Sequence, residues 1–157
     1  MKYFILFLFS FSINLATTAN SQFFEEDNLV NDVRNGVTWY RCTLGQTWNS
    51  LEGQCDGEIL KLNQDEVKIA LEQASEQLGG NWRLPTLIEL ESLICEDCIA
   101  PKINKKYFPN LSAEAYWSSK QNFLNRKMYW SVNFMTGHKY SRFFGYQQLP
   151  VLIVRDR

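Results

Sequence analysis

Apolar and polar residues follow a helical period in the first part of the chain and an alternating period after about residue 101. Between Val67 and Leu78 the apolar positions recur at steps of three and four residues, which predicts an amphipathic helix. Asn63, followed three residues later by Glu66, is a capping-box pattern for the start of this helix. The glycine pair at 79–80 indicates where it ends.

A second capping box follows shortly afterwards, because Thr86 stands three residues before Glu89. The leucines and isoleucines of 87–94 then predict a short helix that stops at Cys95. In the preceding block, Trp-Arg-Leu-Pro at 82–85, the Trp and the Leu are predicted core residues. The Arg of that block is expected to pair with a buried carboxylate.

The strands are predicted from alternation. Residues 128–134 alternate apolar and polar side chains, which is typical of a half-buried strand. Thr136-Gly137 predicts a tight turn, with 139–144 as the hairpin partner. Further strands are predicted at 37–41, 116–119 and 151–154, and 42–56 is expected to be a looped segment. Helices followed by a run of antiparallel strands predict an α+β fold.

The size of the chain indicates one domain. Its 157 residues, 45% of them apolar, are enough for a single core and too few for two ordinary domains. We assign residues 36–157 to this domain. Residues 20–35 include four acidic residues and are expected to be a leader that lies along the domain or stays loose. The formal net charge of −1 gives no argument for nucleic acid as a partner.

Residues 1–19 have the features of a secretory signal. Lys2 is followed by an apolar run, and small residues lead up to Ala19, so we predict cleavage after Ala19. The alternative is a membrane anchor, which needs about 20 predominantly apolar residues, and this run is shorter and interrupted by polar residues. No later segment is expected to span a membrane. The mature protein is therefore predicted to be periplasmic, on the cell surface or secreted.

An exported chain with four cysteines is expected to form disulfides. Of the three possible pairings, we favour the two local ones, Cys42 with Cys55 and Cys95 with Cys98. A redox motif at 95–98 is an alternative, although it follows a helix and has two acidic neighbours, which disfavour a thiolate. A zinc site is another, although His138 is the only histidine. We expect no metal and no cofactor.

Several blocks of the sequence, taken together, resemble one bacterial family. The most specific are Trp-Arg-Leu-Pro-Thr at 82–86 and Tyr-Trp-Ser-Ser at 116–119, and further blocks match between about residues 36 and 155. In order and spacing they resemble the Lcl C-terminal domain family, named after the C-terminal domain of the Legionella collagen-like adhesin. The resemblance implies a C-type-lectin-like fold, with two helices on a small twisted antiparallel sheet. The adhesin's domain binds sulfated glycosaminoglycans and trimerises, so the resemblance also implies a binding function.

The sequence offers no recognised catalytic motif. A serine nucleophile at 118 or 119 has no base available other than His138, and no phosphate-binding glycine loop or metalloprotease motif occurs. The Glu-Pro-Asn and Gln-Pro-Asp motifs of calcium-dependent lectins are also absent. A pair of glycosidase carboxylates stays open as an alternative, because their separation cannot be read from sequence. We expect a protein that is not an enzyme and has no catalytic residues.

Charge is divided unevenly along the chain. Residues 20–100 carry fifteen acidic and five basic residues, whereas 101–157 carry two acidic and ten basic residues. One interpretation is that the two parts neutralise each other within the fold. The other is a basic surface, interleaved with tyrosines, for an anionic polymer. The second predicts a glycan-binding face where the 128–144 hairpin brings charges to one edge, formed by Arg126, Lys127, Lys139 and Arg142 and extended by Lys102, Lys105 and Lys106.

Two function hypotheses follow from these observations. The first is an adhesin-type binding module for anionic or sulfated glycans, and its expected partner is an acidic polysaccharide. The second is a periplasmic structural or assembly protein that binds another envelope protein through its aromatic surface. Retention on heparin separates the two hypotheses.

Overall fold

A computed structural model of the protein describes residues 22–157. The predicted signal and its cleavage position lie outside the described residues. The described chain contains two helices and eleven strands in four small antiparallel sheets. In chain order the elements are β1 (Phe23–Glu26), β2 (Leu29–Asp32), β3 (Val37–Tyr40), β4 (Thr47–Asn49), β5 (Gln54–Asp56), β6 (Lys61–Leu62), α1 (Gln64–Leu78), α2 (Leu87–Glu91), β7 (Ala115–Gln121), β8 (Met128–Asn133), β9 (His138–Phe144), β10 (Leu149–Pro150) and β11 (Val154–Asp156).

Helix α1 begins and ends where the sequence predicts. The Asn63 side chain accepts hydrogen bonds from the backbone N–H groups of Asp65 and Glu66, each at 3.0 Å. The Glu66 carboxylate accepts the Asn63 backbone N–H at 2.8 Å, which completes the capping box. At the other end Gly79 has a φ of +72°, a conformation that glycine adopts without strain.

Helix α2 has the predicted capping box but is shorter than predicted. The Thr86 backbone N–H donates to the Glu89 carboxylate at 2.7 Å, and the Glu89 N–H donates to the Thr86 hydroxyl at 3.2 Å. The helix ends at Glu91 rather than near residue 94. Beyond it the Leu93 N–H bonds to the carbonyl of Leu90, three residues back, so the last turn tightens and leaves the α-helical pattern.

The four-stranded sheet has the order β1-β2-β3-β11 and is antiparallel throughout. Here the structure differs from the predicted leader, because β1 and β2 form a hairpin that pairs with β3. Val30 on β2 lies opposite Trp39 on β3, and both side chains are fully buried. The buried Asp32 carboxylate accepts the backbone N–H of Asn35 at 3.1 Å. This burial makes the acidic segment part of the domain.

The three-stranded sheet places β8 between β7 and β9, which confirms the predicted hairpin. Gly137 has a φ of +76° in the turn between β8 and β9. The register shifts between Tyr129 and Ser131, where a bulge lets β9 carry one more residue than β8. Because β8 lies between β7 and β9, β9 is an edge strand of this sheet.

Two short ladders complete the sheet structure. Strands β4 and β5 form a hairpin inside the segment predicted as a loop, and β6 pairs with β10. Of the strand predicted at 151–154, only Val154 lies in a strand, as the first residue of β11. Residues 151–153 are fully buried outside regular strands. The carbonyls of Val151 and Ile153 still accept hydrogen bonds from Leu44 and Tyr40, at 3.0 and 3.2 Å.

The buried side chains form two clusters. One surrounds α2 and includes Trp39, Phe108 and Tyr116. The other lies against α1 and includes Trp82 and Trp117. The architecture is thus mixed α and β, with two helices on small antiparallel sheets, as the sequence predicts at this level.

Both predicted disulfides are present. Cys42–Cys55 ties the end of β3 to β5, and Cys95–Cys98 closes the loop that follows α2. Within residues 22–157, no group of three or more His, Cys, Asp or Glu side chains is arranged to hold a metal ion. No helix in that part of the chain is long and apolar enough to cross a membrane. The two disulfides fit an exported protein.

Candidate functional site

The basic residues predicted to form a binding face divide into a paired and an unpaired group. The Lys139 ammonium lies 2.7 Å from the carboxylate of Glu91 on α2. The Lys106 ammonium lies 2.9 Å from the carboxylate of Glu25 on β1. The Lys102 ammonium donates to a backbone oxygen of the loop after α2, at 2.7 Å. At Lys139 and Lys106 the acidic and basic parts of the chain neutralise each other, whereas Lys102 is held by a neutral carbonyl.

Three other predicted residues, Arg126, Lys127 and Lys105, are exposed and form no ion pair within residues 22–157. Arg142 is exposed as well, and its guanidinium carbon lies 4.6 Å from the centre of the Tyr140 ring. Arg126 and Lys127 are adjacent in the chain. They concentrate two unneutralised charges at one position of the surface.

The register of the hairpin spreads the four predicted cations along its length. Lys139 lies opposite Val132, close to the β8–β9 turn. Lys127 immediately precedes Met128, which lies opposite Phe144 at the other end of the hairpin. The five residue steps from Lys127 to Val132, at about 3.4 Å each, put Lys127 roughly 17 Å from Lys139 along the hairpin. Lys139 therefore lies apart from Arg126 and Lys127, and the binding face itself stays a prediction.

Arg126 and Lys127 line a groove of about 330 Å³ between the start of α1 and the loops at the open end of the hairpin. The rings of Phe144 and Tyr146, which also line it, stack with 5.5 Å between their centres and 12° between their planes. The Tyr146 side chain is 75% exposed. The Gly145 N–H donates to the Lys127 carbonyl at 3.0 Å, which joins the two loops that form the groove.

Gln64, the first residue of α1, lines this groove and an adjoining cavity of about 530 Å³, and Tyr129 lines both as well. The backbone N–H of Gln64 donates to the Gly145 carbonyl at 2.9 Å. Its side-chain Nε2 is buried and has no hydrogen-bond partner among the described residues. The neighbouring Asp65 carboxylate pairs with Lys68 at 3.0 Å. The groove thus combines two unpaired cations, a stacked aromatic pair and one carboxylate that is paired with Lys68.

The Trp-Arg-Leu-Pro-Thr block has the structural role that the sequence predicts. Trp82 and Leu84 are buried, and the two terminal nitrogens of Arg83 each donate to one Glu89 carboxylate oxygen at 2.9 Å. Burial raises the pKa of Glu89, but hydrogen bonds from Arg83 and Thr86 outweigh it and hold that pKa below its ordinary value. This bidentate pair fixes the entry to α2.

The tryptophans of the matched blocks serve packing. Trp117 is fully buried, and its Nε1 donates to a backbone oxygen at 2.7 Å, so a sugar ring cannot stack on it. The Lys120 ammonium lies 5.6 Å from the centre of the Trp130 ring. The Arg41 guanidinium lies 4.1 Å from the centre of the Trp48 ring and covers it. The aromatic surface of the groove comes instead from β9 and the loop after it.

Reasoning from the sequence missed three features of this region. It did not single out Gln64 or Phe144, and it did not notice the consecutive pair Phe123-Leu124 between β7 and β8. A signal was available, because residues 115–155 contain no Asp and no Glu. Exposed cations in that stretch have no carboxylate nearby in the chain to neutralise them.

Comparison with known proteins covers the same part of the chain. The family model described as the Lcl C-terminal domain matches residues 28–155, from the turn before β2 into β11. This range includes both helices, both disulfides and every residue that lines the groove. No curated protein matches the chain.

Proposed function

The chain belongs to the Lcl C-terminal domain family, a family of adhesin-associated domains, and on this basis we propose that it is an exported, non-enzymatic module that binds anionic glycans. We place the ligand in the groove lined by Arg126, Lys127, Phe144 and Tyr146. The proposal includes the C-type-lectin-like fold that the resemblance implies. Two helices on small antiparallel sheets are consistent with that fold.

The observation that carries the proposal is the pairing of unneutralised cations with a stacked aromatic pair, of which Tyr146 is exposed and Phe144 is half-buried. Arginine presents a planar fork that matches the oxygens of a sulfate or carboxylate, and lysine adds a point charge. The apolar ring faces of Phe144 and Tyr146 suit the C–H face of a sugar. An acidic sugar unit carries an anionic group and an apolar C–H face within a few ångströms of each other. The groove offers a cation for the first and an aromatic ring for the second.

The groove also includes one acidic side chain. The Asp65 carboxylate lines it and lies 3.0 Å from the Lys68 ammonium, so this pair carries no net charge. The proposed ligand is therefore expected to interact with Arg126 and Lys127, which have no such partner.

Binding to a polymer would also use the cations outside the groove. Exposed charges are individually weak in salt, so the affinity depends on several acting together. Arg142 lies on the same hairpin, and Lys105 offers a further unpaired cation on a separate loop. We therefore expect the interaction with a long anionic chain to fall steeply as the ionic strength rises.

The test is heparin-affinity chromatography of the oxidised, exported form of the protein. The parent is expected to be retained at low salt, and the variant Arg126→Glu with Lys127→Glu is expected to pass through. The matched control, Arg34→Glu with Arg157→Glu, makes the same change in net charge at exposed positions away from the groove and is expected to be retained. Circular dichroism confirms that all three proteins are folded.

Two outcomes overturn the proposal. If the parent passes through heparin at low salt, the protein does not bind anionic glycans, and the envelope-protein partner becomes the working hypothesis. If both double variants lose retention equally, net charge rather than the groove determines binding.

A further inference from the structure

We propose that the loop between β7 and β8, residues 122–127, inserts its tip into the surface of a lipid bilayer that carries anionic headgroups. The inference goes beyond the proposed function and does not depend on it, although the two cations beside the loop tip also line the groove. It is carried by side chains that the glycan proposal does not use, Phe123 and Leu124.

The tip of this loop exposes two consecutive apolar side chains. Phe123 is 85% exposed and Leu124 is 81% exposed. Single exposed apolar residues are ordinary on a protein surface, but an adjacent pair at a loop tip forms a wedge that can enter the boundary between headgroups and acyl chains. Neither residue belongs to a core cluster.

The charges around the tip distinguish it from other exposed apolar positions. Leu51 and Ile88 are 99% and 73% exposed, but each precedes a glutamate in the chain. Phe123 and Leu124 are instead followed by Arg126 and Lys127, in a stretch without acidic residues. An apolar wedge beside unpaired cations complements an anionic bilayer, where acyl chains lie beneath negative headgroups.

The loop holds its shape through its own asparagines. The Asn122 side-chain oxygen accepts the N–H of Leu124 at 2.9 Å, and the Asn125 side-chain oxygen accepts the N–H of Lys127 at 3.1 Å. The Asn122 Nδ2 donates to a carbonyl of β9 at 3.1 Å. These bonds satisfy backbone donors that would otherwise lose their water on insertion, and they fix the loop before it meets a surface.

Tyr146 extends the same surface across the groove. Its ring is 75% exposed and lines the groove together with Arg126 and Lys127. Tyrosine favours the interface between water and lipid because its ring is apolar and its hydroxyl is polar. The wedge, the two cations and this ring therefore occupy one end of the β7-β8-β9 sheet.

The test measures sedimentation of the full, oxidised exported protein with two kinds of vesicle, pure phosphatidylcholine and phosphatidylcholine mixed with phosphatidylglycerol. We expect binding to the anionic vesicles and much weaker binding to the neutral ones. The variant Phe123→Ser with Leu124→Ser is expected to lower partitioning to anionic vesicles by about tenfold or more, because it removes the apolar wedge. Its retention on heparin is expected to equal that of the parent.

The matched control is Leu51→Ser with Ile88→Ser, which removes two exposed apolar side chains that lie outside the loop tip. It is expected to bind vesicles like the parent. Thermal unfolding of each variant shows whether the fold is intact, which exposed substitutions are expected to preserve.

The readouts separate this inference from the proposed function. Heparin retention without vesicle binding, or vesicle binding that the loop variant does not change, overturns the lipid inference and leaves the glycan proposal standing. Vesicle binding without heparin retention overturns the glycan proposal and keeps the membrane role of the tip.

Two further outcomes assign the loop tip to another function. If the loop variant loses both activities, the tip belongs to the glycan site, and the lipid inference is wrong. If the parent does not sediment with vesicles but binds a protein through the tip, the tip is a protein-docking surface, and the lipid inference is wrong.

Discussion

The two ends of the β8–β9 hairpin carry similar charges in very different surroundings. At the turn end, Lys139 and Lys102 are held by α2 and the loop after it, through Glu91 and a backbone oxygen. At the open end, Arg126 and Lys127 face a groove and form no ion pair among the described residues. The comparison shows that cations of one basic stretch differ in their surroundings: Lys139 is ion-paired, whereas Arg126 and Lys127 line a groove in which the Asp65 carboxylate pairs with Lys68 instead.

The largest effect is expected where a carboxylate neutralises a cation inside the fold. Glu89→Ala removes the two carboxylate oxygens that hold the terminal nitrogens of Arg83, which keeps the Asp156 carboxylate and the Leu84 carbonyl as acceptors, and it removes half of the α2 capping box. We expect it to lower the free energy of unfolding by about 2–3 kcal/mol, below the range for a fully buried pair because Arg83 is partly exposed. Urea unfolding measures this, and heparin retention should stay unchanged. A loss below about 0.5 kcal/mol would show that the pair contributes little.

The second-largest effect is expected when the two charges at the open end of the β8–β9 hairpin are removed. Arg126→Ala with Lys127→Ala is expected to weaken heparin binding by about tenfold and to change stability by less than about 0.5 kcal/mol, since both side chains are exposed and unpaired. The comparison variant, Lys106→Ala with Lys139→Ala, removes the same charge at two ion-paired positions and should weaken binding much less. Equal losses would mean that pairing does not decide which cations bind.

The third effect concerns pH. The pKa of Glu89 in the folded protein lies below its ordinary value of 4.5, so its charged form stabilises the fold. The contribution is therefore complete above that ordinary value and is lost as the pH falls through the lowered pKa. We expect the parent and Glu89→Gln to differ most in stability near neutral pH and to converge in acid, as measured by thermal unfolding in a series of buffers. A constant difference across the series would contradict this assignment.

The smallest effect is expected from the turn-end ion pair. Lys139→Ala breaks a contact whose two side chains are 46% and 39% exposed. Such pairs contribute about 0–1 kcal/mol, so we expect a loss near about 0.3 kcal/mol that diminishes at high salt. Urea unfolding at low and high salt measures it. A much larger loss would indicate that Lys139 positions α2.

Local features of the fold were predictable because short stretches of sequence determine them. Asn63 and Thr86 mark the helix starts through their own side chains, and Gly137 marks the hairpin turn. The disulfides followed from proximity in sequence. The β1–β2 hairpin was not predicted, because its strands have four residues each and their apolar residues stand in adjacent pairs, 23–24 and 29–30, rather than alternating with polar ones.

The candidate site was predictable only in part. The sequence identified Arg126 and Lys127 as candidates, and their open surroundings agree with that choice. It also grouped Lys139 and Lys106 with them, because pairing with Glu91 and Glu25 depends on elements far away in the chain. Charge neutralisation across a fold is a tertiary property that no local pattern reports.

The position of β11 has a consequence for how the protein reaches its folded state. Val154 on β11 pairs with Trp39 on β3, so β11 is the second strand that β3 pairs with. Strand β11 is synthesised much later than β3. Until then β3 presents an unpaired edge, and the cluster around Trp39 lacks Val154. Contacts between such distant positions form slowly, so we expect folding to wait for nearly the entire domain to emerge. A chain that folds this late exposes the open edge of β3 for longer, so we expect its aggregation during refolding to rise steeply with protein concentration.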